Sequence, residues 1–331
     1  MGYGRRILFG CIETDWLGQL MAAIVTTPSV KSANSAGNRS DNLRAAHLVF
    51  PGSSARSAFS IRRLARMLSD LAWPAYTGHL ASPSCSWHHL HMIEFRTLPD
   101  DHPDLIRSPL LRGALLTLQY AQEHGSIGLT QTKAFKRVLV HWAVEHFDWP
   151  RKNAEEMFRY NKVINEYEFP PLEVLHFLLI SLRLGRHYKG AFRLTKKGAE
   201  LARSPGRMFA ELIPYFVLRI DHASYARFDD RPFGKWDVWM NVINVEADQG
   251  TTEAALYKAF YGEPEDWHTA GWRAMGAFSS CVLRPLEWAG LLMETRDNAP
   301  CKHDCHVFKT QLWRSALKLD TDEMLQPTPV Q

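Results

Sequence analysis

A chain of 331 residues, 46% hydrophobic and 22% charged, is long enough for two domains of ordinary size and has the make-up of a folded, water-soluble protein. No apolar run reaches the roughly 18 residues needed to span a bilayer, and five scattered cysteines exclude a disulfide-built scaffold, so the expectation is a cytoplasmic protein with no membrane partner. The net charge of +4 is uneven: residues 1–91 carry nine Lys/Arg against four acids and residues 127–205 carry fourteen against eight, while the remainder is acidic, which points to a partner rather than to a fold.

Residues 1–91 read as a poorly ordered extension that need not belong to the native protein, because Met92 opens a run with the look of an ordinary start. Within it, Ile61, Leu64, Leu68 and Leu71 form the apolar stripe of one basic helix, and His88, His89 and His91 lack a further ligand that would make them a metal site. From Ser108 the signals become regular. Ser108 caps a helix with Pro109 in its first turn, Leu111, Leu115 and Leu118 on one face and Gly125 at its end. SIGLT is a short strand. Thr130 or Thr132 then caps a helix with Phe135, Val138, Leu139 and Trp142 on its apolar face, and residues 152–166 form another helix. Pro170 and Pro171 open LEVLHFLLISLRL, apolar almost all round, and Gly185 closes it. The basic turn GRHYKG follows, then FRLTKKGAEL, in which Thr195 caps a short helix. Helix, small strand, helix, helix and hairpin is the order of a winged helix, here with one extra helix inserted before the apolar one.

The pattern recurs further on. Lys235–Val245 and Thr251–Tyr261 read as helices, CVLRPLEW as an apolar helix, Leu291–Thr295 and Val307–Lys309 as a hairpin, and Thr310 as the cap of a helix carrying Leu312 and Leu317; VFKTQLWRSAL corresponds to FRLTKKGAEL. The expected fold is mainly α with small β-hairpins, as tandem winged-helix-like units. Residues 92–205 make the first unit, 206–234 a linker, 235–320 the second unit and 321–331 a tail.

Residues 126–205 also resemble the helical C-terminal part of the plasmid Ri open-reading-frame family, carried by bacterial plasmids and insertion elements. The shared positions are Ile127, Leu129 and Thr130, then Phe192, Leu194, Thr195, Gly198, Leu201 and Pro205. The family's N-terminal domain is not recognisable in this chain. The resemblance implies the fold and a mobile-element setting, with no activity to transfer.

Two functions are open. In a winged helix the hairpin contacts phosphate and the helix before it reads bases. The hairpin region supplies Arg183, Arg186, His187, Lys189 and Arg193, with Lys196 and Lys197 at the start of the next helix, but the helix before it lacks the Arg, Lys, Asn or Gln that read base edges. Nucleic-acid binding of low sequence specificity is therefore one reading. The other is a protein-interaction or self-associating module, in which the all-round apolar helix is covered by a second surface. No nucleophile elbow, P-loop, HExxH or dinucleotide fingerprint occurs, so neither an enzyme nor a cofactor is expected. Asp221-His222 and Asp229-Asp230 could gather a divalent ion, although DDRPFGK reads more simply as a turn. In CKHDCH, Cys301, His303, Cys305 and His306 offer two sulfurs and two imidazoles for zinc within six residues; a single short loop seldom wraps an ion, and the plain reading is a mobile hairpin tip.

Overall fold

A computed structural model describes residues 93–152, 154–225, 230–263, 270–295 and 305–325. The expectations placed on residues 1–91, including the basic helix and the histidine cluster, lie outside the described residues.

After a short strand β1 (Ile93–Phe95), Ser108 accepts from the Leu111 N–H at 3.2 Å and starts α1 (Pro109–Glu123). Leu110, Leu111 and Leu118 of α1 are fully buried. Strand β2 (Ile127–Gly128) is followed by α2 (Arg137–His146), α3 (Ala154–Tyr160) and α4 (Pro170–Ser181). A hairpin of β3 (Gly185–Tyr188) and β4 (Ala191–Leu194) leads into α5 (Lys196–Leu201), and α6 (Pro205–Arg219) closes this half. The second half comprises α7 (Trp236–Glu246), β5 (Thr251–Thr252), α8 (Glu253–Tyr261) and α9 (Ala270–Phe278). A π-helical turn Ser279–Leu283 then runs into α10 (Arg284–Trp288). The hairpin β6 (Leu292–Thr295) and β7 (His306–Lys309), α11 (Gln311–Ala316) and β8 (Leu317–Leu319) complete it. The chain is thus mainly helical with small antiparallel sheets.

The two halves repeat one topology. Each has a three-stranded sheet in which the short first strand pairs with the second strand of the hairpin, in the order β2-β4-β3 and β5-β7-β6. The junction into the helix after the hairpin repeats its threonine-to-carbonyl bonds. Thr195 Oγ1 donates to the carbonyls of Arg183 and Leu184, at 2.7 and 3.1 Å, and Thr310 Oγ1 donates to those of Gly290 and Leu291, at 2.6 and 3.2 Å. The apolar helix ends alike in both, with Leu184 N–H on Leu179 O at 2.8 Å and Leu291 N–H on Leu286 O at 2.9 Å. Each end needs one left-handed residue, which is Arg183 at φ 58° and Gly290 at φ 80°. A Cβ at Gly290 would come 2.4 Å from Arg107 O, so only glycine fits the second.

Several expectations need correction. The stretch 206–234, expected to be a linker, begins with most of the 15-residue α6, whose Met208, Phe209, Leu212, Ile213, Phe216 and Val217 are buried. Their i, i+4 spacing is that of a core helix. The start of the 321–331 segment is likewise no tail, since Thr321 is buried and donates to Asn241 Oδ1 at 2.9 Å. Val138 is 73% exposed, because α2 starts at Lys136 rather than at a threonine and its buried stripe is Leu139, Val140, Ala143 and Val144. Among the described residues of 152–166, the α-helix covers Ala154–Tyr160, and Glu166 opens a separate 3-10 turn, Glu166–Glu168. Among the described residues no helix is long and apolar enough to cross a membrane.

Candidate nucleic-acid interface

The first hairpin turns on Lys189 and Gly190, both at positive φ, 48° and 72°. Two such residues make the two-residue turn whose twist matches that of paired strands. Alternation along the strands then sorts the side chains onto two faces. Arg186 and Tyr188 of β3 lie on the outer face with Arg193 of β4, and Arg186 is directly opposite Arg193. His187 and Phe192, also opposite one another, lie on the inner face. Gly185 accommodates that arrangement, since a Cβ there would come 1.9 Å from Phe192 Cζ.

Tyr188 organises the outer face. Arg186 Cζ, Lys189 Nζ and Arg193 Cζ stand 5.6, 5.3 and 5.5 Å from its ring centroid. Each such contact contributes ~0.5–1 kcal/mol at an exposed site, which offsets part of the repulsion between the three cations. All three are exposed and have no acidic partner among the described residues. The result is a cluster of three positive charges around one half-exposed phenol ring, suited to oxyanions such as phosphate.

The inner face is tied to the core by a hydrogen-bonded chain. Buried Glu166 accepts from the Phe135 N–H at 2.5 Å through one oxygen, and its other oxygen stands 2.6 Å from His176 Nδ1. With Nδ1–H given to Glu166, His176 Nε2 accepts from His187 Nε2–H, 2.8 Å away. The His176 ring also stacks on Phe135 with 3.7 Å between centroids. His187 is exposed overall, but partial desolvation of its ring holds its pKa below the ordinary histidine value, with His176 and Lys133 adding to the effect and Glu166 opposing it. His187 is therefore a strut of the hairpin rather than part of its cationic face.

The other expected residues separate as follows. Arg183 is exposed at the left-handed end of α4 and Lys196 is exposed in the first turn of α5. Lys197 pairs with Glu211 and donates to Leu182 O at 3.3 Å, which takes it out of the cationic face. On α4 only Glu173 is exposed, and burial with Glu166 nearby raises its pKa. This helix presents no base-reading side chain.

The second hairpin is different in kind. Lys309, on β7, points inward and gives its protons to Asn244 O, Asn244 Oδ1 and Asp248 Oδ1 at 2.6, 3.1 and 2.9 Å. Burial lowers its pKa, with Asp248 opposing that shift. Of CKHDCH, Cys301 and His303 lie outside the described residues; Cys305 is buried and His306 pairs with Thr252 in the sheet. Among the described residues no group of three His, Cys, Asp or Glu is placed to hold a metal ion. Asp229 also lies outside them. Asp221 and Asp230 are held by Arg231 and Arg273, at 2.6 and 2.9 Å, rather than by each other.

The sequence reading missed Tyr188 and the Glu166–His176 pair. The i, i+2 spacing of Arg186 and Tyr188 in GRHYKG is a usable signal for the first. No local signal marks the second, because ten residues separate the pair and only tertiary packing joins them.

Comparison with known proteins divides the chain at the same place as the repeated topology. The Y4jL N-terminal domain family matches residues 106–207, and the y4jL C-terminal domain family matches residues 226–311. Over 155 residues the chain is 35% identical to the uncharacterized protein y4jL of Sinorhizobium fredii, covering 46% of this chain and 70% of that protein. No solved structure matches.

Proposed function

The chain belongs to the y4jL family, and from that premise we propose that it is a non-enzymatic tandem winged-helix protein that binds nucleic acid with little sequence preference through its first hairpin. The repeated strand order and the repeated threonine junction support the tandem winged-helix reading. In that fold the hairpin lies along phosphates while the preceding helix enters the major groove. The buried α4 argues against base reading, which leaves backbone contact. The observation that carries the proposal is the exposed trio Arg186, Lys189 and Arg193 gathered around Tyr188. A cytoplasmic, mobile-element or regulatory setting accords with the family resemblance noted in the sequence.

A mobility-shift titration of the full chain on random-sequence duplexes tests this. Binding is expected at low salt, with log K falling by about 3 per decade of salt if the three cations each meet one phosphate. The combined change Arg186→Glu, Lys189→Glu and Arg193→Glu is expected to weaken it at least ~10-fold, while Lys197→Ala leaves it nearly unchanged. Absence of binding by the wild type, or equal binding by the triple variant, replaces this reading with a protein-interaction module.

A further inference from the structure

A cavity of about 340 Å³ lies between the two repeats, away from the hairpin, and its volume is within the range of small-molecule sites. Its apolar walls include Trp149, Phe216 and Trp288. Trp149 and Trp288 meet edge to face at 5.2 Å, and Phe216 lies parallel to Trp288 at 6.3 Å, so the walls are rigid aromatic surfaces.

Two polar groups at this cavity lack partners. Trp149 is only 4% exposed, yet its indole Nε1–H meets no acceptor. Buried donors are nearly always satisfied, and an orphan calls for a bound water or ligand. Arg284, in the first turn of α10, lines the same cavity; it makes no direct hydrogen bond or ion pair among the described residues, and the carboxylates whose field it feels are Glu287 and Glu253. The nearby Glu287 carboxylate is already held by Arg151. Ser280 adds a hydroxyl. The histidine at the cavity carries no charge at neutral pH, because burial pushes His222 down to about 4.

The loop that presents Trp149 is fixed in advance. Arg112 donates to Phe147 O at 2.9 Å and to Asp148 O at 2.5 Å, and Asp148 and Arg151 hold left-handed backbone at φ 47° and 59°. Backbone held in that region at non-glycine residues is over-determined by its surroundings and tends to mark a site.

We propose that this cavity is a binding site for a small aromatic monocarboxylate, its ring against the aromatic wall of Trp149, Trp288 and Phe216 and its carboxylate accepting from Trp149 Nε1–H and the Arg284 guanidinium. Donors without matching free acceptors select an anion. The fork of a guanidinium fits a planar carboxylate, and the neighbouring Glu287 disfavours a doubly charged phosphate.

Calorimetric titration of the full chain with 2-naphthoate, 2-naphthamide and phenyl phosphate tests the assignment. The naphthoate is expected to bind, with the neutral amide and the phosphate each at least tenfold weaker. Arg284→Met and Trp149→Phe are each expected to weaken naphthoate at least tenfold, and Arg284→Lys to recover only part. The hairpin variant Arg186→Glu/Lys189→Glu/Arg193→Glu should bind naphthoate normally, which separates this site from nucleic-acid binding. No binding of naphthoate at millimolar concentration, equal binding of the amide, or undiminished binding by folded Arg284→Met overturns the proposal.

Discussion

His222 is the residue whose environment most directly sets a measurable property. Its ring meets Phe216 and Trp236 edge-on at 5.0 and 5.8 Å, and its Nε2–H donates to Val217 O at 3.3 Å. Burial drives its pKa to about 4, the backbone hydrogen bonds and Asp221 opposing only part of that shift. An unfolded histidine titrates near 6.5, so as pH falls the unfolded chain takes up this proton first. The stabilisation is full above pH ~6.5 and is lost progressively between about 6.5 and 4, up to about 3 kcal/mol. Urea unfolding at pH 7.5, 6 and 5 is therefore expected to show falling stability, and His222→Gln to flatten that slope. Parallel slopes for the two proteins would assign the acid sensitivity to other groups, such as His187, whose pKa is also held down by partial desolvation.

At the scale of elements, the hairpin junction is the informative unit, because it occurs twice with the same bonds. Thr195 and Thr310 each bridge the end of the apolar helix to the start of the last one, yet only Thr195 also accepts from a helix N–H, that of Gly198 at 3.0 Å. Thr195→Val and Thr310→Val keep the volume and remove the hydroxyl, and each is expected to cost about 1 kcal/mol in a urea melt, with Thr195→Val the larger. A negligible cost at Thr310 would mean that its junction is held by packing alone. The places of these junctions were legible in FRLTKK and VFKTQL because turn chemistry and a β-period act over a few residues; Thr195 caps as expected, whereas Thr310 takes the cap position without a side-chain cap bond. The phase of α2 was not legible. Lys136, whose side chain makes no cap, takes the cap position, while the Thr130–Lys133 turn absorbs the two threonines. The helix α6 was hidden by its prolines. Pro205 reads as a terminator but occupies the first turn, and Pro214 sits inside a helix that the core holds together regardless. Of the interface, the hairpin cations were legible as a basic turn. The diversion of Lys197 to Glu211 was not, because it depends on where α6 packs.

Across the whole molecule the two repeats do not behave as beads on a string. One cluster of buried side chains runs from Leu98 to Leu319, and β1 pairs with β8, so the first and last described strands close on each other. Ser315 Oγ donates to Asp104 Oδ2 at 2.7 Å beside that closure. Polar contact between the repeats centres on Arg151, which holds Glu287 of α10 and stands 2.9 Å from Glu294 of β6. Burial raises the Glu287 pKa, and Arg151 pulls it back. Arg151→Met removes the cation bonded to that carboxylate and leaves it only the weaker field of Arg284. The expected cost is about 1–3 kcal/mol, below the figure for a fully buried pair because the Arg151 side chain retains 36% of its surface. Adding Glu287→Gln removes the stranded charge, so the double variant should be more stable than the sum of the two single losses. A shared core also requires that far- and near-ultraviolet circular dichroism report one coincident unfolding transition, in the wild type and in Arg151→Met alike. Two separated transitions would mean that each repeat folds alone and that Arg151 links finished domains; a single transition shifted downward would identify it as a joint within one cooperative body, the condition under which a ligand between the repeats could influence the hairpin.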